Sequence, residues 1–190
     1  MEAVSMSRRT LLRTPGGKAG KSPLRPPWAL AEASFIELCT RCDACITACP
    51  TGVLRRGGGG FPITDFSLGA CTFCGACVAA CGAPSRPQAL RRQEGLPAWA
   101  RVAAIGDGCL SRRGIECRVC GEACEAAAIR FRPRLGGVAL PELDASRCSA
   151  CGACQAPCPG SAIEMVALAL PSDAPPDTSS LSAPNLEEAA

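Results

Sequence analysis

Sixteen of the 190 residues are cysteine, and their placement limits what this chain can fold into more than any other feature. They fall into four runs: Cys39, Cys42, Cys45 and Cys49; Cys71, Cys74, Cys77 and Cys81; Cys109, Cys117, Cys120 and Cys124; and Cys148, Cys151, Cys154 and Cys158. Large side chains are scarce beside them: five Phe, two Trp and no Tyr. A small domain buries too little apolar surface to be comfortable on packing alone. Thiol chemistry is therefore expected to supply much of the folding free energy. Cysteine at this density is a secreted disulfide scaffold, a set of zinc modules or a set of iron–sulfur sites.

The first possibility requires export. Ser7-Arg8-Arg9-Thr10-Leu11-Leu12 looks like a twin-arginine export signal, but such a signal also needs an apolar stretch of about 7–15 residues. Here the chain continues through polar, turn-rich residues 13–21. Residue patterning thus places the chain in the reducing cytoplasm, with Arg8-Arg9 a solvated tail or a partner-recognition element. No apolar run reaches the roughly 18 residues of a membrane span, the longest being residues 165–170, so no membrane insertion is expected. Histidine is absent altogether. That excludes His-containing zinc sites, Rieske centres, His-ligated haem and Ser-His or Cys-His catalytic pairs. With no flavin motif either, an electron-transfer or accessory protein is expected, not an enzyme.

Runs one, two and four have the spacing C-x2-C-x2-C-x3-C, the bacterial ferredoxin signature for 4Fe–4S clusters. Three closely spaced cysteines wrap three corners of a cube, and the fourth points away to ligate the neighbouring cluster. Zinc modules more usually separate two C-x2-C pairs by a longer loop. The gaps from Cys49 to Cys71 and from Cys124 to Cys148 are nearly equal, while the longer gap after Cys81 holds Pro84, Pro87, Gly95 and Pro97. The runs therefore pair as one with two and three with four. The predicted ligand sets are Cys39, Cys42, Cys45 with Cys81; Cys71, Cys74, Cys77 with Cys49; Cys109, Cys117, Cys120 with Cys158; and Cys148, Cys151, Cys154 with Cys124. Run three departs from the pattern, because residues 110–116 are inserted between Cys109 and Cys117. It is read as a cluster site, with a zinc site or an unoccupied thiol set as alternatives, so three to four clusters are expected. Each oxidised cluster with its four thiolates carries about −2. The formal charge of +3 then gives no argument for nucleic acid binding.

The fold class expected is α+β: two tandem bacterial-ferredoxin-like modules nucleated by their clusters. The division expected is a flexible basic arm at 1–27, one module at 28–90, a second at 91–168 and a disordered acidic tail at 169–190. Each run leads to a short apolar piece: Val53-Leu54, Ala89-Leu90, Ala128-Ile129 and Ala162-Ile163. Residues 61–65 and 138–141 read as short strands, and 75–80 and 152–156 as one or two helical turns. Arg55-Arg56 with Gly57–Gly60 reads as a hairpin turn, Trp28 and Trp99 as packing over the modules, and Arg130, Arg132 and Arg134 as the solvated face of a strand. Gly75, Gly152, Ala44 and Ala76 keep the cysteine loops small enough for backbone N–H groups to approach a cluster.

Several segments carry a more specific resemblance. They are the Ser-Arg-Arg segment, residues 25–29 (RPPWA), Cys39-Thr40-Arg41-Cys42, Gly60-Phe61-Pro62, Cys71-Thr72-Phe73-Cys74-Gly75, and Cys117-Arg118-Val119-Cys120-Gly121 with its stretched first spacing. Over roughly residues 7–165 the chain resembles the NapF family, ferredoxin-type accessory proteins of periplasmic nitrate reductase systems. The resemblance implies a cytoplasmic protein acting on the precursor of the catalytic subunit, NapA, before its export, by supplying electrons or by helping to build its iron–sulfur centre. A general electron carrier or an electron-transfer subunit of a larger oxidoreductase is the alternative, and a zinc-stabilised binding module a third reading. Purified without oxygen, the protein should bind about sixteen iron atoms per chain, four for each group of four thiolates. A value that stays near twelve after reconstitution would leave run three without a cluster.

Overall fold

A computed structural model of the protein describes residues 23–82 and 87–168. The expected acidic tail, Arg8-Arg9 and most of the expected basic arm lie outside the described residues. The described part forms two compact units. The first holds the residues up to Ala98 together with Cys151–Ala156, and the second holds Trp99–Ala150 and the residues from Pro157 on. Among the described residues there are four short helices and six short strands, the strands pairing in three two-stranded antiparallel sheets. This is the α+β character expected of small ferredoxin-like modules.

In the first unit, helix α1 (Glu32–Leu38) precedes run one, and α2 (Ala44–Thr47) lies within it. Strands β1 (Leu54–Arg56) and β2 (Pro62–Thr64) form a hairpin through a 3₁₀ turn at Gly58–Gly60, with Leu54 opposite Thr64. Helix α3 (Ala76–Cys81) carries the end of run two. None of these helices is long enough to be stable in isolation, so packing must hold them. The core that does so consists of Phe35, Val53, Leu54, Ala89 and Leu90 with the thiols of Cys45 and Cys77. Apolar burial and candidate ligands thus share one interior. The segment before α1 closes over it: the Thr64 amide donates to the Leu24 carbonyl and the Thr64 hydroxyl to that of Arg25, while Ala29 bridges to Leu90.

The second unit repeats the plan with longer strands. Strand β3 (Arg101–Ile105) pairs with β6 (Ile163–Ala167), bringing together the segments before run three and after run four. Strands β4 (Ile129–Arg134) and β5 (Gly137–Leu143) form the hairpin between the runs, and α4 (Val119–Glu122) lies inside run three. The β4–β5 register shifts between Arg132 and Arg134, where Pro133 has no N–H to give the ladder. Arg130, Arg132 and Arg134 face solvent as expected, with Arg132 paired to Glu142 at 2.9 Å. All eight residues of the apolar pieces that follow the runs are buried.

Two expectations are corrected. Residues 152–156 form turns and no helix, in contrast to α3 at the matching position of run two. The difference lies in Pro157, which stands where run two has Ala80: it lacks the N–H a helix would use and its ring excludes the helical conformation before it. Strand β3 was not anticipated, although Val102 and Ala103 supply an apolar, buried stretch.

Arg25 fastens the N-terminal side of the first unit. Its guanidinium lies 4.9 Å from the ring centre of Phe35 and 5.3 Å from that of Phe61, and it grips Glu32 through two bonds of 2.6 and 3.0 Å. Arg25→Ala should therefore destabilise the iron-loaded protein by about 2 kcal/mol. Anaerobic denaturant unfolding followed by cluster absorbance measures this. Arg25→Lys, which keeps the charge and loses the fork, should fall between the two.

Candidate iron–sulfur sites

The loops of runs one, two and four share a backbone device. The residues on either side of the second cysteine are left-handed: Arg41 and Asp43 (φ 57° and 59°), Phe73 and Gly75 (54° and 78°), Ala150 and Gly152 (57° and 81°). Left-handed residues within such a loop turn successive N–H groups to one side and make a concavity that suits an anion. Glycine accepts this conformation freely, and at Gly152 a side chain is also excluded because a Cβ would collide with the ring of Phe66. In run one the same place is taken by Asp43, whose carboxylate is held by Arg56. Run three lacks the device, since Arg118 has φ −127°. Its inserted residues close on themselves: the Arg113 amide donates to the Cys109 carbonyl and the Ile115 amide to that of Leu110.

The fourth cysteines share a second device. Three residues after Cys49, Cys124 and Cys158 the chain is left-handed, at Gly52, Ala127 and Ser161 (φ 66°, 47° and 45°). This turns the following amide back on the sulfur. The Ala128 N–H lies 3.3 Å from the Cys124 Sγ and the Ala162 N–H 3.4 Å from the Cys158 Sγ. Cys49 has the matching partner in Val53.

Three cavities lie against the runs, and each is walled by three cysteines of one run and the last cysteine of its neighbour. Cys39, Cys42, Cys45 and Cys81 line the first, of about 400 Å³ and open in part to solvent. Cys71, Cys74, Cys77 and Cys49 line another of about 320 Å³, with Trp28 and Phe73 beside them. In the second unit Cys109, Cys117, Cys120 and Cys158 line one of about 340 Å³. Of the fourth predicted set, Cys151 and Cys154 belong to the first unit, and Cys148 and Cys124 to the second.

Burial and crowding shift several of these thiols. Burial, then the neighbouring thiols of Cys81, Cys39, Cys77 and Cys42, pushes Cys45 up to about 12. Burial and the thiols of Cys109, Cys158 and Cys117 push Cys120 up to about 11. Cys77 is likewise pushed up to about 11, mainly by burial, with the Val78 amide opposing. Cys49 moves the other way: burial raises it, but hydrogen bonds from Thr51 and nearby amides together outweigh that effect. Crowded, half-desolvated thiols ionise only against a compensating cation. Among the described residues no group of three or more Cys, Asp or Glu is placed to hold a single metal ion. Four sulfurs around one cavity, with the left-handed loops of runs one and two turning amides inward at two of the three, suit a polynuclear iron–sulfur core.

Packing around the sites follows the aromatic residues. Trp28 is buried, meets Phe73 edge-on at 6.5 Å and carries Arg92 over its face at 5.1 Å. Trp99 is half-buried. Ser111 was not singled out from the sequence, yet it is 2% exposed and donates its hydroxyl to the Cys117 carbonyl at 2.7 Å. It anchors the inserted loop against a cysteine of run three. A serine within a polar insert gives no signal of this in sequence.

Comparison with known proteins agrees with the site. The family pattern described as "4Fe-4S dicluster domain" matches twice, over residues 38–84 and 113–162. The chain is 44% identical to the ferredoxin-type protein NapF of Escherichia coli strain K12, covering 84% of this chain and 94% of that one. It is 44% identical to NapF of Haemophilus influenzae, covering 75% and 78%. More distantly, it is 28% identical to the methylamine utilization ferredoxin-type protein MauM of Methylophilus methylotrophus, covering 82% and 74%. With its tandem dicluster pattern and near full-length similarity, the chain belongs to the NapF family of ferredoxin-type 4Fe–4S proteins.

Proposed function

We propose that the sixteen cysteines hold 4Fe–4S clusters in crossed sets, and that the protein transfers electrons as a cytoplasmic accessory factor of the periplasmic nitrate reductase catalytic subunit, NapA, acting on its precursor before export. The observation that carries the ligand reading is the composition of the three cavities, each completed by the last cysteine of the neighbouring run. Family membership and the resemblance around the cysteine runs support the accessory role. No helix among the described residues is long and apolar enough to cross a membrane.

When bound, the clusters supply reversible one-electron chemistry. The protein's own part is to hold and screen them. Thiolates would fix the corners, left-handed turns direct amides to sulfur, and Trp28 with Phe73 lines the wall of one cavity. Cys42 and Cys74 are the exposed cysteines, so those two edges are where a redox partner approaches most closely. A general electron carrier is the competing reading.

Two experiments test this. Cys158→Ser should alter the spectrum of the cluster bound by run three and spare those of runs one and two. A defect confined to the run-four cluster would defeat the crossed assignment. Tagged protein captured anaerobically from cytosol should bring down the NapA precursor with its leader attached and leave the processed form behind. Recovery of several unrelated redox enzymes instead would favour the general carrier.

A further inference from the structure

The last cysteines of the runs differ in what meets their sulfur. Two residues beyond them stand Thr51, Ala83, Ala126 and Gly160. Thr51 alone of these carries a hydroxyl. Its Oγ1 lies 3.6 Å from the Cys49 Sγ, and the residue lines the same cavity as Cys49, Cys71, Cys74 and Cys77. The turn that places it is closed by the Gly52 amide on the Cys49 carbonyl at 3.2 Å. A metal-bound thiolate has no proton to offer, so once Cys49 is a ligand the hydroxyl must be the donor. A donor on a ligand sulfur stabilises the more negative, reduced state more than the oxidised one, and such bonds are a recognised lever on cluster potential.

We propose that Thr51 is a positioning residue that acts through Cys49 to raise the reduction potential of the centre in this cavity. The inference rests on the ligand reading above, with Cys49 serving the run-two site. Thr51→Val keeps the shape of the side chain and removes the hydroxyl, and Thr51→Ser keeps the hydroxyl. The full-length protein, loaded with iron anaerobically, is titrated with dithionite and followed by electron paramagnetic resonance. Cys49→Ser identifies the component that belongs to this cavity.

In Thr51→Val that same component should move to more negative potential, with iron content and the other components unchanged, while Thr51→Ser should stay near the parent. If Thr51→Val does not load, Thr51→Ala removes the same hydroxyl without a branched side chain and takes its place, with the same outcomes read. Unchanged potentials in an iron-replete Val or Ala variant, or a Ser variant shifted as far as Val, overturn the role of Thr51. Cys49→Ser leaving every component untouched overturns the ligand reading itself.

Discussion

At the last cysteine of a run, core and site are joined by one hydrogen bond. Ala128 and Ala162 are buried residues, and their amides are the groups that reach back to the sulfurs of Cys124 and Cys158. Burying the apolar piece therefore aims the thiol, and a thiol fixed in a cavity keeps the apolar piece in place. In the first unit the coupling is tighter still, because Cys45 and Cys77 are members of the apolar core. With so few large side chains, the core of this unit is completed by cysteines: Cys39, Cys49 and Cys81 pack against it beside the buried Cys45 and Cys77. The left-handed residues at Arg41, Phe73 and Ala150, each unfavourable on its own, persist because the loop is held from both ends.

Much of this was legible in the sequence. Three cavities group cysteines in crossed sets that the spacing predicts. Apolar dipeptides after each run marked the core, because little else in the chain could form one. The glycine turn of the first hairpin and the strands around 62–64 and 138–141 also follow from local chemistry, although Arg55 and Arg56 lie in the strand that leads into that turn.

Other features were hidden for identifiable reasons. Arg41, Phe73 and Ala150 have no intrinsic preference for a left-handed backbone, so only the closed loop reveals it. Ser111 reads as one more polar residue until its hydroxyl is seen on the Cys117 carbonyl. Arg25 reads as part of a basic arm, whereas its charge is spent on two rings and a carboxylate inside the unit. The proline before Cys158 was visible, but the likeness of Gly75 to Gly152 obscured it. Equal cysteine spacing does not require equal helix content when a single ring removes a backbone donor.

Crossing also sets an order in time. The cavity beside Cys39 gains its fourth thiol only when Cys81 has left the ribosome, and the one beside Cys109 only when Cys158 has. At roughly 5–20 residues per second, each set of three waits seconds for its last member with its sulfurs exposed to oxygen and stray metals. The nascent chain of such a protein is thus at its most vulnerable between runs, and oxygen-free surroundings matter most while it is being made.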